Sequence, residues 1–399
     1  MSGALGAGEG KLRIQVRVEK GMIAAVVLSS TRPVSACSIL VGCRLDEALA
    51  LLPRLFGLCG AAQAVAGLRA AENALGLTVS PPQIAARRML VSAEALEQTV
   101  WRILLDGPRC ISVKPALEAL KPLRRVLASL RPLLLPEPTW MQVGGARLTP
   151  DRAGLAAALD EIEQRVDQTV LGRTPTAGSP WRDRGAFEAW LRAAESPAAM
   201  ILRWASEQGL AGFGRSAVEP LPEFDPAWLA RQMANDADYS FCARPDYIGV
   251  VGETGNLARC WNHPAIAALR AEYGNGLLVR LTARVIECGA LVAELGEQAR
   301  AVNAEHPETP DLENASGSGL GVVECARGRL VHWLAVMEGR IIAYRILAPT
   351  EWNFHPDGPL ARGLAGARIG GGTEVRQPIE LLVMALDPCV GFELTIDEC

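Results

Sequence analysis

Asp387-Pro388-Cys389-Val390-Gly391-Phe392, close to the C-terminus, and Arg54-Leu55-Phe56-Gly57-Leu58-Cys59, far upstream, decide how this 399-residue chain is read. Each stretch carries one cysteine. Cys389 lies 330 residues beyond Cys59, so only folding can bring the two thiols together. Asp387 and Pro388 read as the turn that aims Cys389. The ten cysteines, at positions 37, 43, 59, 110, 242, 260, 288, 325, 389 and 399, include no C-x-x-C pair. Tetrahedral zinc sites and iron–sulfur clusters built on paired thiolates are therefore not expected. Cys110, Cys242, Cys260 and Cys288 read as small buried hydrophobes.

Composition excludes several function classes. A net charge of −4 gives no basic footprint for nucleic acid. The pairs Arg87-Arg88 and Arg124-Arg125 read as solvated helix faces. Residues 1–10 are small and Gly/Ala-rich, without the charged start and apolar run of a signal peptide. The apolar run 22–28 is far short of a membrane span. The expectation is a cytoplasmic protein with no membrane contact, whose cysteines are thiols or metal ligands.

Leu12, Ile14, Val16 and Val18 alternate with polar residues, and Lys20-Gly21 then precedes residues 22–28, a hairpin signal. Residues 46–130 turn to helical periodicity, with Arg69 and Glu72 placed to pair on one face. A proline-dotted stretch, 132–150, closes this region. Helices are expected over 151–171 (Asp151 as its start signal), 187–208, 276–304 and 378–386, with loops at 172–180 and 306–319. The last of these reads as exposed and mobile. Residues 329–337 and 340–347, joined by Glu338-Gly339, form a second hairpin. The fold class is mainly α with two small β pieces (α+β). The regions 1–131, 132–319 and 320–399 read as parts of one integrated unit.

The two cysteine stretches resemble the metal-binding ends of the nickel-iron hydrogenase large subunit, R-x-C-G-x-C-x-x-x-H and D-P-C-x-x-C-x-x-H. Further blocks keep that family's order. Glu324-Cys325-Ala326-Arg327-Gly328-Arg329-Leu330-Val331-His332 is similar to E-A-P-R-G-x-L-x-H, and Pro349-Thr350-Glu351-Trp352-Asn353 to P-[ST]-T-W-N. Glu338-Gly339-Arg340 to Tyr344 resembles D-G-K-I-x-x-Y. Gly252 to Arg259 resembles E-x-G-P-L-A-R, and residues 278–287 a helix of the form R-L-x-A-R-x-x-E. The resemblance implies a shortened version of the large-subunit fold.

The departures carry the functional reading. Phe56 and Phe392 stand where two metal-ligating cysteines belong, and Gln63 and Thr395 where the motif histidines belong. Ser35 falls at the position of the glutamate thought to pass protons from nickel. The chain ends four residues after Thr395, which reads as lacking a processed extension. This pattern is close to the HupK/HoxV type of hydrogenase maturation proteins. The resemblance implies a non-catalytic scaffold or chaperone that binds the Fe(CN)2CO half of the active site and hands it to the hydrogenase large-subunit precursor, alongside other maturation factors.

In that reading Cys59 and Cys389 hold a transient iron, and no nickel is expected, because two thiolates cannot replace a four-sulfur cage. Arg327 and Thr350 match the residues that donate to cyanide. Each also has a plainer reading, Arg327 as an arginine capping carbonyls and Thr350 as a turn hydroxyl. His332 reads as a satisfied core histidine. Cys325 and Cys399 are further thiols near the motifs. One alternative is a metal-free interaction chaperone that protects the precursor, as the large-subunit-like component of respiratory complex I keeps the fold without the cysteines. A shortened hydrogenase-like enzyme is the third.

Overall fold

The computed structural model describes residues 10–135, 140–172, 183–368 and 374–398. Two three-stranded sheets lie among helices in this set. The first is built on the hairpin of β1 (Lys11–Glu19) and β2 (Met22–Ser30), whose Leu12, Ile14, Val16 and Val18 face the core. Its two-residue turn has φ of 50° at Lys20 and 73° at Gly21. Positive φ at both positions matches the right-handed twist of the flanking strands. Glu338 (φ 49°) and Gly339 (φ 71°) repeat this turn between β4 (Gly328–Met337) and β5 (Arg340–Leu347).

Both sheets hold a strand beyond the expected hairpins. β6 (Gly391–Glu398) runs parallel to β1, in register from Lys11 with Gly391 to Val18 with Glu398. The chain segment after Cys389 is thereby tied to the start of the described chain. β3 (Gly317–Cys325) pairs with β4 and corrects the reading of 317–319 as loop. The reason lies in three alternating glycines. A Cβ at Gly317, Gly319 or Gly321 would sit 2.0–2.1 Å from the carbonyl oxygens of Ala74, Ala70 and Ala66. One face of the strand thus meets helix Gly60–Ala74 backbone to backbone, along alanines four residues apart. That contact seats the helix that begins just after Cys59 on the sheet that carries Arg327 at its β3–β4 turn.

Other expectations need adjustment. The helix over 187–208 is two helices, Arg184–Ala193 and Pro197–Glu207. Pro197 disfavours helical backbone at Ser196, which instead caps the second helix by accepting from the Ala199 N–H. Arg87 is not solvated: it is buried and makes a two-pronged pair with Glu72, both bonds 2.8 Å. Glu72 is therefore not Arg69's partner; Arg69 donates to the Val322 carbonyl. Asp151 does cap helix Arg152–Val166, and the longest helix is Leu277–Ala301. Cys242, Cys260 and Cys288 are buried, while Cys110 is half-buried. Residues 173–180 of the expected loop and Cys399 lie outside the described residues.

Helix Leu277–Ala301 explains why its sequence block carries charges in an apolar setting. Arg280, Arg284 and Glu287 lie one turn apart and all are buried. Arg280 holds Glu253 through two bonds of 2.8 and 2.7 Å, Glu287 accepts from Arg259 and Asn256, and Arg284 reaches Asp387. The Gly252–Arg259 block and the Asp387 turn are thus both pinned to this one helix. Among the described residues no single helix is long and apolar enough to cross a membrane; only the pair Leu45–Leu55 and Gly57–Ala74, bent by 93°, reaches that composition.

Candidate functional site

The segments that flank Cys59 and Cys389 meet around a cavity of about 110 Å³. At roughly 30 Å³ per water in the liquid, that is room for about four water-sized groups. Cys59, Cys389, Cys325, Arg327 and Arg32 line it, and Phe56 supplies apolar wall. Phe392 does not: it lies on β6 and is exposed. Three thiols and two guanidiniums from distant parts of the chain therefore share one small space.

Cys59 ends a single 3-10 turn, Gly57–Cys59, and directly precedes helix Gly60–Ala74. The free N–H groups of Ala61 and Ala62 at that helix start donate to Glu94, at 2.7 and 3.1 Å. Burial pushes the Glu94 carboxyl up to about 7, although these two N–H groups pull the other way. Burial also raises the Cys59 thiol, helped by Cys325 and Glu94 nearby; Arg327 and Gln63 oppose the rise. Cys325 is pushed up to about 11 by burial, against the pull of Arg327.

A buried chain of hydrogen bonds ends on the Cys59 sulfur. Gln63 Nε2 donates to Cys59 Sγ at 3.4 Å, and Gln63 Oε1 lies 2.8 Å from His332 Nε2. Because a carboxamide oxygen only accepts, His332 Nε2 must carry the proton. Its Nδ1 then accepts from the Tyr344 hydroxyl at 2.8 Å. Burial pushes His332 down to about 3, so the ring is neutral. His332 is thus a satisfied core histidine, and Gln63 passes its orientation to the thiol.

Asp387 has φ 55°, in the left-handed region, and its carboxylate is buried among three guanidiniums. Arg102 binds it at 2.7 Å, Arg284 at 3.2 Å and Arg327 at 3.3 Å. Burial alone would raise this carboxyl, but Arg102, Arg327 and Arg284 hold it well below the usual carboxylate range. Arg102 starts a π-helical turn, Arg102–Asp106, that continues helix Pro81–Trp101, and it also pairs with Asp106 at 2.6 Å. Arg102, Arg284 and Arg327 with Asp387 and Asp106 thus form a charged cluster behind Cys389, of which Arg327 lines the cavity.

Arg327 faces the cavity but is well occupied. Its Nη1 donates to Gln98 Oε1 at 2.5 Å and its Nε to the Pro388 carbonyl at 3.4 Å. Gln98 in turn donates to the Leu58 carbonyl, so one amide side chain ties Arg327 to the residue before Cys59. Thr350 is buried and does not line the cavity. Its hydroxyl accepts the Cys389 N–H at 3.0 Å, which fixes the backbone that presents the thiol.

The sequence reading of the site thus finds its four residues around one point, three on the wall and Thr350 behind Cys389. It missed Arg32, Glu94, Gln98, Arg102 and Arg284. Only Arg284 gave a signal, a charge in an otherwise apolar helical stretch. Arg32 also lines the cavity, and its Nη1 binds Glu351 at 2.5 Å. Burial works against its charge, but Glu351 and then Cys389 and Cys59 raise the guanidinium above its ordinary range.

Comparison with known proteins fits this geometry. The family described as "Nickel-dependent hydrogenase" matches residues 215–392, a span that includes Arg327, Thr350 and Cys389. A protein of Azotobacter vinelandii named hydrogenase expression/formation protein HupK is 31% identical, over 97% of this chain and 98% of its own. The hydrogenase expression/formation protein HoxV of Cupriavidus necator is 32% identical, over 93% of each chain. Among solved structures, the Ni-Fe-Se hydrogenase of D. vulgaris Hildenborough superposes with a TM-score of 0.69 at 19% identity, covering 93% of this chain and 94% of that one. Identity this low establishes the shared fold. The near-complete match to the expression/formation proteins establishes more: the chain belongs to the nickel-dependent hydrogenase family, within its HupK/HoxV group.

Proposed function

We propose that this protein is a non-catalytic hydrogenase maturation scaffold that holds the iron–dicyano–carbonyl unit between Cys59 and Cys389 and passes it to the hydrogenase large-subunit precursor. The observation that carries the reading is the convergence of these two thiols on one small cavity that Arg327 also lines. The names of the relatives, as expression/formation proteins, support a role in hydrogenase maturation.

The chemistry follows from the residues. Soft thiolates suit low-valent iron. Among the described residues no three His, Cys, Asp or Glu side chains converge as a metal-ligand set, so the two sulfurs offered are those of Cys59 and Cys389, each losing its proton as iron binds, and the cargo keeps its own diatomic ligands. Cyanide nitrogen carries negative charge and prefers a guanidinium donor in a dry setting. Arg327 supplies that donor, while Thr350 steadies Cys389 from behind. A guanidinium beside the sulfurs favours an anionic cargo. A hold through two sulfurs yields to a recipient with four, which sets the direction of transfer. Earlier maturation factors would deliver the cargo.

The likeness to large subunits over almost the whole chain favours a second reading, a metal-free look-alike that shields the precursor. Replacing the chromosomal copy by Cys59→Ala or Cys389→Ala separates the two. Hydrogenase activity of the cells should fall to the level of a deletion strain. Wild-type activity in both variants would sink the cargo reading and leave the shielding role.

A further inference from the structure

We propose that Arg32 is a second anion donor of the cavity, placed to bind the nitrogen end of a metal-bound cyanide or a similar small anion seated between Cys59 and Cys389. The inference rests on the cargo reading above and adds a binding residue that lies outside the blocks carrying the family resemblance.

The argument starts from an imbalance between two guanidiniums. Arg327 gives one N–H to Gln98, one to Pro388 and its charge to Asp387. Arg32 makes one side-chain hydrogen bond among the described residues, from Nη1 to Glu351. Its side chain is only 10% exposed, and it lines the cavity. A guanidinium carries five N–H donors in a fixed fork, so most of Arg32's capacity has no protein acceptor. No Arg32 nitrogen is among the buried side-chain atoms left without a partner, so its free N–H groups keep access to the cavity they line. Glu351 sharpens the point. It is 8% exposed, and its Oε2 is buried with no hydrogen-bond partner.

A buried ion pair with open valences on both members contributes little stability for its desolvation. Its effect is to hold one cation rigidly at the cavity. The backbone supports that placement. Arg32 follows β2, its own N–H donates to Ser30 Oγ at 3.1 Å, and Pro33 restricts the next step of the chain. Arg32 and Arg327 approach from segments almost 300 residues apart, so together they could grip two nitrogen ends of one cargo. A planar fork suits this task better than the mobile point charge of lysine.

The test begins on the iron-free, full-length protein. Alkylation of Cys389 and Cys59 is followed by mass spectrometry with iodoacetate, an anion, and iodoacetamide, its neutral counterpart. A cation facing the thiols favours iodoacetate. The rate ratio should drop at least roughly threefold in Arg32→Gln, as expected for loss of one charge at several ångströms in a partly screened site. Arg32→Lys should retain most of the ratio. The double variant Arg32→Gln/Glu351→Gln removes both charges, avoids a lone buried carboxylate and should show a smaller drop, because the opposing charge of Glu351 is lost as well. An unchanged ratio in both Gln variants, with circular dichroism like wild type, would overturn the proposal. On protein loaded by the maturation machinery, Arg32→Gln should shift the infrared cyanide bands, and unmoved bands would also refute it. If wild type loads no iron, the cargo reading fails, and the alkylation ratio still decides whether Arg32 serves an anion.

Discussion

Asp387→Asn removes one charge from the point where Arg102, Arg284 and Arg327 meet and changes little else. Asparagine is among the few residues that accept the left-handed backbone found there, at φ 55°. The Asp387 N–H bond to the Val383 carbonyl survives. Arg102 keeps Asp106, and Arg327 keeps Gln98 and the Pro388 carbonyl. Arg284 fares worst, because it is 1% exposed and is left with only the Met384 and Ala385 carbonyls. Removing one partner of a buried ion pair costs about 3–5 kcal/mol. The expected loss is therefore about 4 kcal/mol, a large part of the roughly 5–15 kcal/mol that holds a folded protein together. Urea unfolding at pH 7 measures it as a lower midpoint at unchanged slope. Arg284→Met added to Asp387→Asn should recover part of the loss, since the orphaned cation is then gone.

The pH dependence carries its own sign. Arginines depress the Asp387 carboxyl in the folded state, so its contribution is present above its unfolded value near 4 and is lost as pH falls through the folded one. Wild type and Asp387→Asn should therefore converge only in strong acid. A difference below about 1 kcal/mol at pH 7 would refute the view that this carboxylate organises the site.

Three further results are expected. Glu94 is raised to about 7, so its contribution is present below the unfolded value near 4.5 and is lost as pH rises through 7. Glu94→Gln should gain on wild type by about 2–3 kcal/mol between pH 5 and 8, and parallel stability profiles would contradict this. Gln63→Leu leaves the His332 Nε2–H buried without an acceptor and should cost about 1–3 kcal/mol in thermal unfolding. It should also alter the alkylation rate of Cys59, whereas a rate equal to wild type would detach the chain from the thiol. Arg87→Met should cost more than the double Arg87→Met/Glu72→Met, because the single change strands a buried carboxylate.

The sequence was most legible where local pattern and long-range role coincide. Arg280, Arg284 and Glu287 stand out as charges one turn apart on an apolar helix, and the turn residues Lys20-Gly21 and Glu338-Gly339 announce their hairpins. β6 was hidden because its residues also read as the tail of a metal motif, and β3 because alternating glycines look like a loop until a helix is found against them. Arg87 looked solvated beside Arg88, since nothing local reveals a partner on another helix. The same holds at the site. Arg32 and Glu351 are 319 residues apart, and Arg327 and Gln98 are 229 apart. Their pairing is a property of the packed chain, so only Cys59, Cys389, Arg327 and Thr350, which sit in recognisable blocks, were within reach.

The central claim is that Cys59 and Cys389 together hold an iron unit with carbonyl and cyanide ligands. Infrared spectroscopy of protein purified without oxygen from cells with the complete maturation machinery tests it most directly. The account requires carbonyl and cyanide stretching bands that disappear in Cys59→Ala and in Cys389→Ala. A featureless wild-type spectrum with no bound iron, or bands that persist in both variants, would contradict it.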